Sequence, residues 1–337
     1  LDPIVVKGVT VRSLYPQPYL RPSVDEDLLI RSGEAESWHR FLLSERLSAD
    51  DPNSGVVSPA VTTGKALSAA DLEATTELSY HKENSPTYIE LHKTLFDPDS
   101  DAYGDFNTLF PDVSAHTMRM QIEDVSVRTL EPDYHLLYLI LHAFKHFVHS
   151  GIGIRAVGDM GMLAEYYRAE INWVWIRESL EKVNAFTFAR AMLRIVQKYL
   201  MPEAEFFSLI RDWDLQAIDV EPLLEDILAS GVHGASSLMR LHSSNITLNA
   251  VTNNRKNAHT KKGTFRQMLF PSAKKLAGRY PYLKKMPLLL PLAWAQRASH
   301  YVTENRKTHT VSNAAESLRL GEARIQLLKQ YGIIDKE

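Results

Sequence analysis

The chain contains no cysteine. That excludes disulfides, a thiolate zinc site and a cysteine nucleophile, and it suits a reducing cytoplasm. Long apolar runs are also missing. The most hydrophobic window, residues 286–295, is interrupted by Pro287 and Pro291. It is about half the length a bilayer-crossing helix needs. No basic start followed by an apolar stretch marks a secretory leader. Charge of one sign is lacking too: 38 basic side chains against 41 acidic ones leave a net charge of −3. The molecule as a whole has no electrostatic pull toward nucleic acid or a membrane, so any such pull must be local. No segment repeats.

What remains is an ordinary globular composition, 45% hydrophobic and 23% charged over 337 residues, enough for two domains. The first residue is Leu1, and the β-branched run Ile4-Val5-Val6 follows at once. The expectation is a chain that begins inside a fold, as a truncated or processed product would. Residues 9–14 read as a helical turn or two, stopped by Tyr15-Pro16-Gln17-Pro18. Residues 25–30 read as a strand, residues 34–47 as a helix, and residues 87–92 as a strand by alternation. Residues 80–82 precede a turn, and residues 121–130 suggest one more strand. From Pro132 the spacing turns helical: Leu136, Leu137, Ile140, Leu141, Phe144 and Phe147 recur at three and four. Further helices are expected over residues 154–167, 176–183, 186–199, 221–229, 236–242, 272–276, 288–301 and 317–331. The fold class is therefore α+β, strands followed by a mainly helical second half. The boundary is expected between residues 130 and 131.

The chemistry concentrates in Asp25-Glu26-Asp27. On a strand, Asp25 and Asp27 point the same way. Two like charges on one face repel and resist desolvation, and a hard cation such as Mg²⁺ or Mn²⁺ removes that objection. Glu90, on another strand, offers a third carboxylate to complete the metal site or to take a proton from an attacking hydroxyl. Gly8, after the first strand, permits close backbone approach to a phosphate, and Lys7 and Arg21 can neutralise phosphate oxygens. Lone readings of the same residues are a solvated acidic turn, a plain turn glycine and a surface Glu90.

Four stretches together resemble the uncharacterised nucleotidyltransferases of the polymerase-β-like superfamily. They are Val5-Val6-Lys7-Gly8, Leu14-Tyr15-Pro16 with Arg21-Pro22, Asp25-x-Asp27-Leu28-Leu29-Ile30, and Ile89-Glu90-Leu91-His92. His142-x-x-Lys145-His146 with Arg155 and Asp159, Phe270-Pro271-Ser272 and Tyr280-Pro281-Tyr282-Leu283 fit the same family. The resemblance implies a nucleotidyltransferase-like mixed β-sheet core over residues 1–130 and a helical domain over residues 131–337 that shapes the acceptor side of the cleft. It implies Asp25, Asp27 and Glu90 as metal ligands, Lys7, Gly8 and Arg21 on the nucleotide phosphates, and Lys145, His146 and Arg155 toward the acceptor. The implied reaction moves a nucleotidyl group from an NTP to a hydroxyl or phosphate acceptor. Three positions depart from the superfamily pattern: Val9 replaces a serine, Glu26 an apolar residue, and Glu90 an aspartate. Val9 and Glu26 motivate a second reading, a nucleotide- or protein-binding module without turnover. A sugar-nucleotide glycosyltransferase is a third.

A buried Glu26 would be costly, so that end of the strand is expected to meet solvent. Asp159 is expected to pair with Arg155 at i, i+4. His142, His146 and His149 share one helical face, open to readings as a phosphate-facing patch, a packed face or a zinc site. The basic stretch 255–285, interleaved with aromatics, reads as a charged loop and helix in preference to a nucleic-acid surface. Trp173 and Trp175 read as core or interface.

Overall fold

In the computed structural model, the described residues are 1–23, 25–31, 33–49, 72, 75–85, 87–149, 151–232, 247–248, 250–252, 276, 282, 286–296 and 312–334. The chain opens with β1 (Ile4–Val5) and the single-turn helix α1 (Val9–Arg12), then β2 (Asp25–Leu29) and helix α2 (Ala35–Ser44). β3 (Leu47–Ala49), β4 (Glu77–Lys82) and β5 (Tyr88–His92) complete a five-stranded sheet in the order β1-β2-β5-β4-β3. β2 and β5 run parallel, and every other neighbouring pair is antiparallel. The sheet is therefore mixed, and the parallel pair is joined by the long connection that such pairing requires. A separate hairpin follows, β6 (Thr117–Ile122) and β7 (Val125–Leu130).

Alternation along the strands decides what each sheet face meets. Ile30, Leu78, Tyr80 and Leu91 point to one side and pack with Trp38 and Leu42 of α2. Leu29 points to the other side. It joins a much larger core with Ile4, Val6, Phe96 and the buried stripe of helix α3 (Pro132–His149). Pro132 sits in the first turn of α3, where its missing N–H leaves no bond unmade. At the far end Gly151, at φ 111°, donates its N–H to the His146 carbonyl at 2.9 Å. Around α3 lie α4 (Ile154–Tyr166), α5 (Trp173–Lys182), α6 (Phe186–Ile195), α7 (Glu221–Ala229) and α8 (Ser312–Gln330). Among the described residues, no helix is long and apolar enough to cross a membrane.

The sequence reading needs correction at several places. Residues 77–82 form a full strand, because Leu78 and Tyr80 alternate into the α2 layer while Ser79 and His81 face away. The single strand expected over 121–130 is half of a hairpin. Glu123 takes a left-handed φ of 51°, so the run folds back at Glu123-Asp124. The helix expected from residue 176 starts at Trp173, where the Asn172 side chain accepts the Trp175 N–H at 3.1 Å. The helix expected to reach residue 199 loosens into a π turn at Val196–Leu200. Residues 236–242 lie outside the described residues, as does most of the basic stretch 255–285.

A buried ion pair ties the N-terminal segment to the helices. Arg21 donates from Nε and Nη2 to the two oxygens of Asp159, at 2.7 and 2.8 Å, and the Tyr15 hydroxyl donates to the same carboxylate at 2.8 Å. Both charged residues are only 3% exposed. A carboxylate this deep needs a full set of donors, and the guanidinium fork supplies two in one plane. Asp159 therefore turns inward to Arg21 and not along its own helix to Arg155, contrary to the i, i+4 expectation. Removing one partner leaves a buried charge without compensation. Asp159→Ala should lower unfolding stability by about 3–5 kcal/mol in urea titration. Arg21→Met should do likewise, and the double variant should lose clearly less than the sum.

Candidate active site

Asp25 and Asp27 lie on one face of β2, as alternation requires. The parallel register sets Glu90 of β5 directly opposite Asp27, on the same face. His92 follows two residues on. One oxygen each from Asp27 and Glu90 and a ring nitrogen of His92 lie within 4.8 Å of one another. Glu77 approaches from β4, with Oε2 3.6 Å from His92 Nδ1. α3 covers this face. Its Tyr138 hydroxyl points at Asp27 Oδ2 at 3.4 Å, and His142 Nε2 stands 3.9 Å from that oxygen. His146, one turn further, meets His142 with the two Nε2 atoms 3.3 Å apart.

Asp27 is 0% exposed, so its surroundings must carry the cost of its charge. Lys7 does most of this. Its ammonium donates to Asp25 Oδ2 and stands 3.4 Å from Asp27 Oδ2. Burial opposes the Lys7 charge, but the carboxylates of Asp27 and Asp25 outweigh it and hold its pKa above the ordinary lysine value. Burial likewise pushes the Asp25 carboxyl up, and Lys7 and then Arg155 more than reverse this, bringing it to about 2. Arg155 Nη2 lies 3.6 Å from Asp25 Oδ1, while its Nη1 donates to the Pro22 carbonyl. Glu90 shows the opposite balance. Burial raises its pKa most, the neighbouring His92 ring opposes, and the charges of Asp27, Glu77 and Asp25 add to the rise. Burial, together with nearby Lys145 and Lys7, depresses His146 to about 3, and burial with His146 and Lys7 depresses His142 strongly. The histidine pair is therefore neutral near pH 7, with one ring donating and the other accepting.

The glycine turn is built differently from the expectation. Glu26, on the opposite face of β2 from the aspartates, is half-buried, so this end of the strand is partly open to solvent. Its Oε2 accepts the Val9 N–H at 2.7 Å, satisfying a free donor at the start of α1. Gly8 takes φ 82°, and a Cβ there would stand 2.0 Å from the Glu26 carboxylate. Burial raises the Glu26 pKa, with the Val9 bond and Arg12 opposing. The Glu26 departure is thus absorbed by a cap, which explains how a strand can carry it.

Of the residues singled out from the sequence, the structure brings Lys7, Asp25, Asp27, Glu90 and Arg155 together. Lys7, Asp25, His142, His146, Gly153 and Arg155 border a cavity of about 110 Å³ beside the carboxylates. Lys145 does not line it. Arg21, expected on a phosphate, gives Nε and Nη2 to the buried Asp159 carboxylate instead. His92, Tyr138 and His142 join the site without having been assigned to it. The alternation of Tyr88, Glu90 and His92 was the signal for His92. For Tyr138 and His142 it was the i, i+4 stripe with His146.

These donors suit a divalent cation. Among the described residues, Asp25 Oδ1, Asp27 Oδ1 and His92 Nε2 are buried polar atoms without a hydrogen-bond partner. Asp27 Oδ1 and His92 Nε2 converge with a Glu90 oxygen from two neighbouring strands, which is the chemistry a cation satisfies.

Two outcomes follow. Gly8→Ala should cost about 1–3 kcal/mol from the positive φ alone, with the Glu26 clash added. Gly8→Ala/Glu26→Ala should recover the clash portion and not the φ portion, as thermal unfolding will show. Acidification should also destabilise the fold. His146 is neutral when folded down to about pH 3, whereas an unfolded histidine takes up a proton near pH 6.5. Stability is full above that value and falls below it by up to about 1.4 kcal/mol per pH unit per such histidine. Urea unfolding between pH 7 and 5 measures the slope, and His146→Gln should flatten it.

No curated protein and no solved structure matches the chain. The family described as uncharacterised nucleotidyltransferase matches residues 1–201, more than half of its length. On that match, and with this cluster of carboxylates on a mixed sheet, the chain belongs to the uncharacterised nucleotidyltransferase family.

Proposed function

We propose that the protein is a metal-dependent nucleotidyltransferase, moving a nucleotidyl group from an NTP to a hydroxyl or phosphate acceptor. The observation that carries this reading is the convergence of Asp27, Glu90 and His92 across the parallel β2–β5 pair, with Asp25 on the same face of β2 and Lys7 and Arg155 against the aspartates. On this reading residues 1–130 form a nucleotidyltransferase-like core, and the helices after residue 131 form the acceptor side. A cysteine-free chain of this composition suits the cytoplasm, and the net charge of −3 does not favour nucleic acid as the acceptor.

Asp25, Asp27 and Glu90 would hold Mg²⁺ or Mn²⁺. Such an ion, when bound, neutralises triphosphate charge and makes an attacking oxygen a better nucleophile. The chain's own residues supply the rest. Lys7 and Arg155 already sit on Asp25, where they can share their charge with phosphate oxygens. Where the aspartates alone hold the ion, Glu90 across from Asp27 is placed to take the acceptor proton. The neutral His142–His146 pair and Gly153 face the cavity next to these groups and can hydrogen-bond the acceptor. α3 keeps water from the Asp27 side. Arg21 acts at a distance, holding the segment before β2 through Asp159.

One observation favours the second reading, a binding module without turnover. Glu26 occupies the Val9 N–H, a donor that a phosphate loop would offer to the nucleotide. The two readings part in one assay. Protein, Mg²⁺ and α-labelled NTPs with a mixed acceptor pool should give label transfer. Asp25→Asn/Asp27→Asn should reduce it by about a thousandfold, the equivalent of ~4 kcal/mol of lost charge stabilisation. NTP binding without transfer by the unaltered protein would select the second reading. Transfer that survives the double substitution would sink the metal-site assignment.

A further inference from the structure

The two oxygens of Asp27 face different company. Oδ2 meets Lys7 at 3.4 Å, the Tyr138 hydroxyl at 3.4 Å and His142 at 3.9 Å. Oδ1 turns to the other side, has no hydrogen-bond partner, and stands 4.0 Å from His92 Nε2. That nitrogen is also without a hydrogen-bond partner, on a ring only 8% exposed, and lies 3.7 Å from Glu90 Oε2. Both separations are too long for a hydrogen bond. They are close to what a shared cation needs, since ligands about 2.1 Å from an ion and tetrahedrally disposed stand about 3.4 Å apart. The side-chain torsions of Glu90 and His92 can close the remaining few tenths of an ångström. On the other ring nitrogen, Glu77 Oε2 at 3.6 Å is the carboxylate that commonly orients a metal-binding imidazole. The Oδ2 side is different, because an ammonium group already bridges Asp25 and Asp27 there.

We propose that the nucleotide-free protein binds one divalent transition-metal ion through Asp27 Oδ1, Glu90 and His92 Nε2, while the Lys7 ammonium serves as the second cation between Asp25 and Asp27. His92 is then a metal ligand, and the donor set is two oxygens and a nitrogen instead of oxygens alone. Imidazole nitrogen favours Fe²⁺ and Zn²⁺, and Mn²⁺ accepts it beside carboxylates, whereas Mg²⁺ prefers an all-oxygen shell. The site thus discriminates in favour of transition-metal ions over Mg²⁺. This rests on the metal-dependent reading above and deepens it by naming the ion class.

The test uses Mn²⁺ itself, added to the full chain without nucleotide and followed by electron paramagnetic resonance. One Mn²⁺ per chain is expected, displaced by Mg²⁺ only at a concentration at least tenfold higher. Electron spin-echo modulation should reveal a directly bound nitrogen, and its pattern should change when the protein is made with ¹⁵N-histidine. That readout needs no variant. His92→Gln, checked for fold by circular dichroism, should abolish the nitrogen signal and narrow the Mn²⁺ preference several-fold. His142→Gln and His146→Gln should keep the signal. Bound Mn²⁺ without nitrogen coupling would overturn the inference and leave the carboxylate metal reading standing. Coupling that vanishes in His142→Gln instead would do the same. Two ions bound without nucleotide would overturn the role given to Lys7. No Mn²⁺ binding at all would overturn both.

Discussion

The structure depends on how it keeps a charge in a place without water. Asp27 is sealed between the sheet and α3, and a lone carboxylate there would be untenable. Everything near it answers that constraint. Lys7 leans in from the turn after β1, Tyr138 and His142 look down from α3, and His92 stands beside it on β5. Arg155 reaches Asp25 from α4. Five separate pieces of chain are thereby committed to one small volume. A buried charge is poor evidence of stability. Here it fixes which groups must meet, and so acts as a specification of the fold around the site.

The same logic recurs one layer out. Asp159 is a second buried carboxylate, and its demand for donors fixes Arg21 and Tyr15 and with them the segment entering β2. Glu26 is a third acidic group, half-buried, and a backbone amide answers it. Three acidic side chains around β2 therefore find three kinds of partner: an ammonium, a guanidinium and a peptide N–H. Each partner comes from a different sequence distance, and together they set how the opening segment folds over the sheet.

How far the sequence reveals this depends on the range of the interaction. Local periodicity is legible: the period-two pattern of Asp25, Asp27 and Leu29 and the three-four pattern along α3 both appear as elements in the structure. Turns that interrupt a periodic run are not. Glu123 looks like one more strand position until its positive φ folds the run in two. Charge partners are legible only when neighbours in sequence compete with nobody. Arg155 is four residues from Asp159, yet Arg21, 138 residues away, takes the carboxylate with better geometry. Composition alone made Glu26 look misplaced, because the rule against buried acids does not anticipate an amide three ångströms away. The histidines of α3 carried a visible stripe, but only the packing of α3 on the carboxylate face tells why they are neutral.

The Lys7 ammonium has a consequence for how the protein is made. Many metalloproteins whose ligands are bare carboxylates hold together poorly until the ion arrives, so their maturation follows the metal supply. In this chain the cation between Asp25 and Asp27 is covalently part of the polypeptide, delivered at residue 7 as soon as the first strand pairs with the second. The carboxylate pair is therefore neutralised from within the polypeptide, and the fold around it does not wait for an ion.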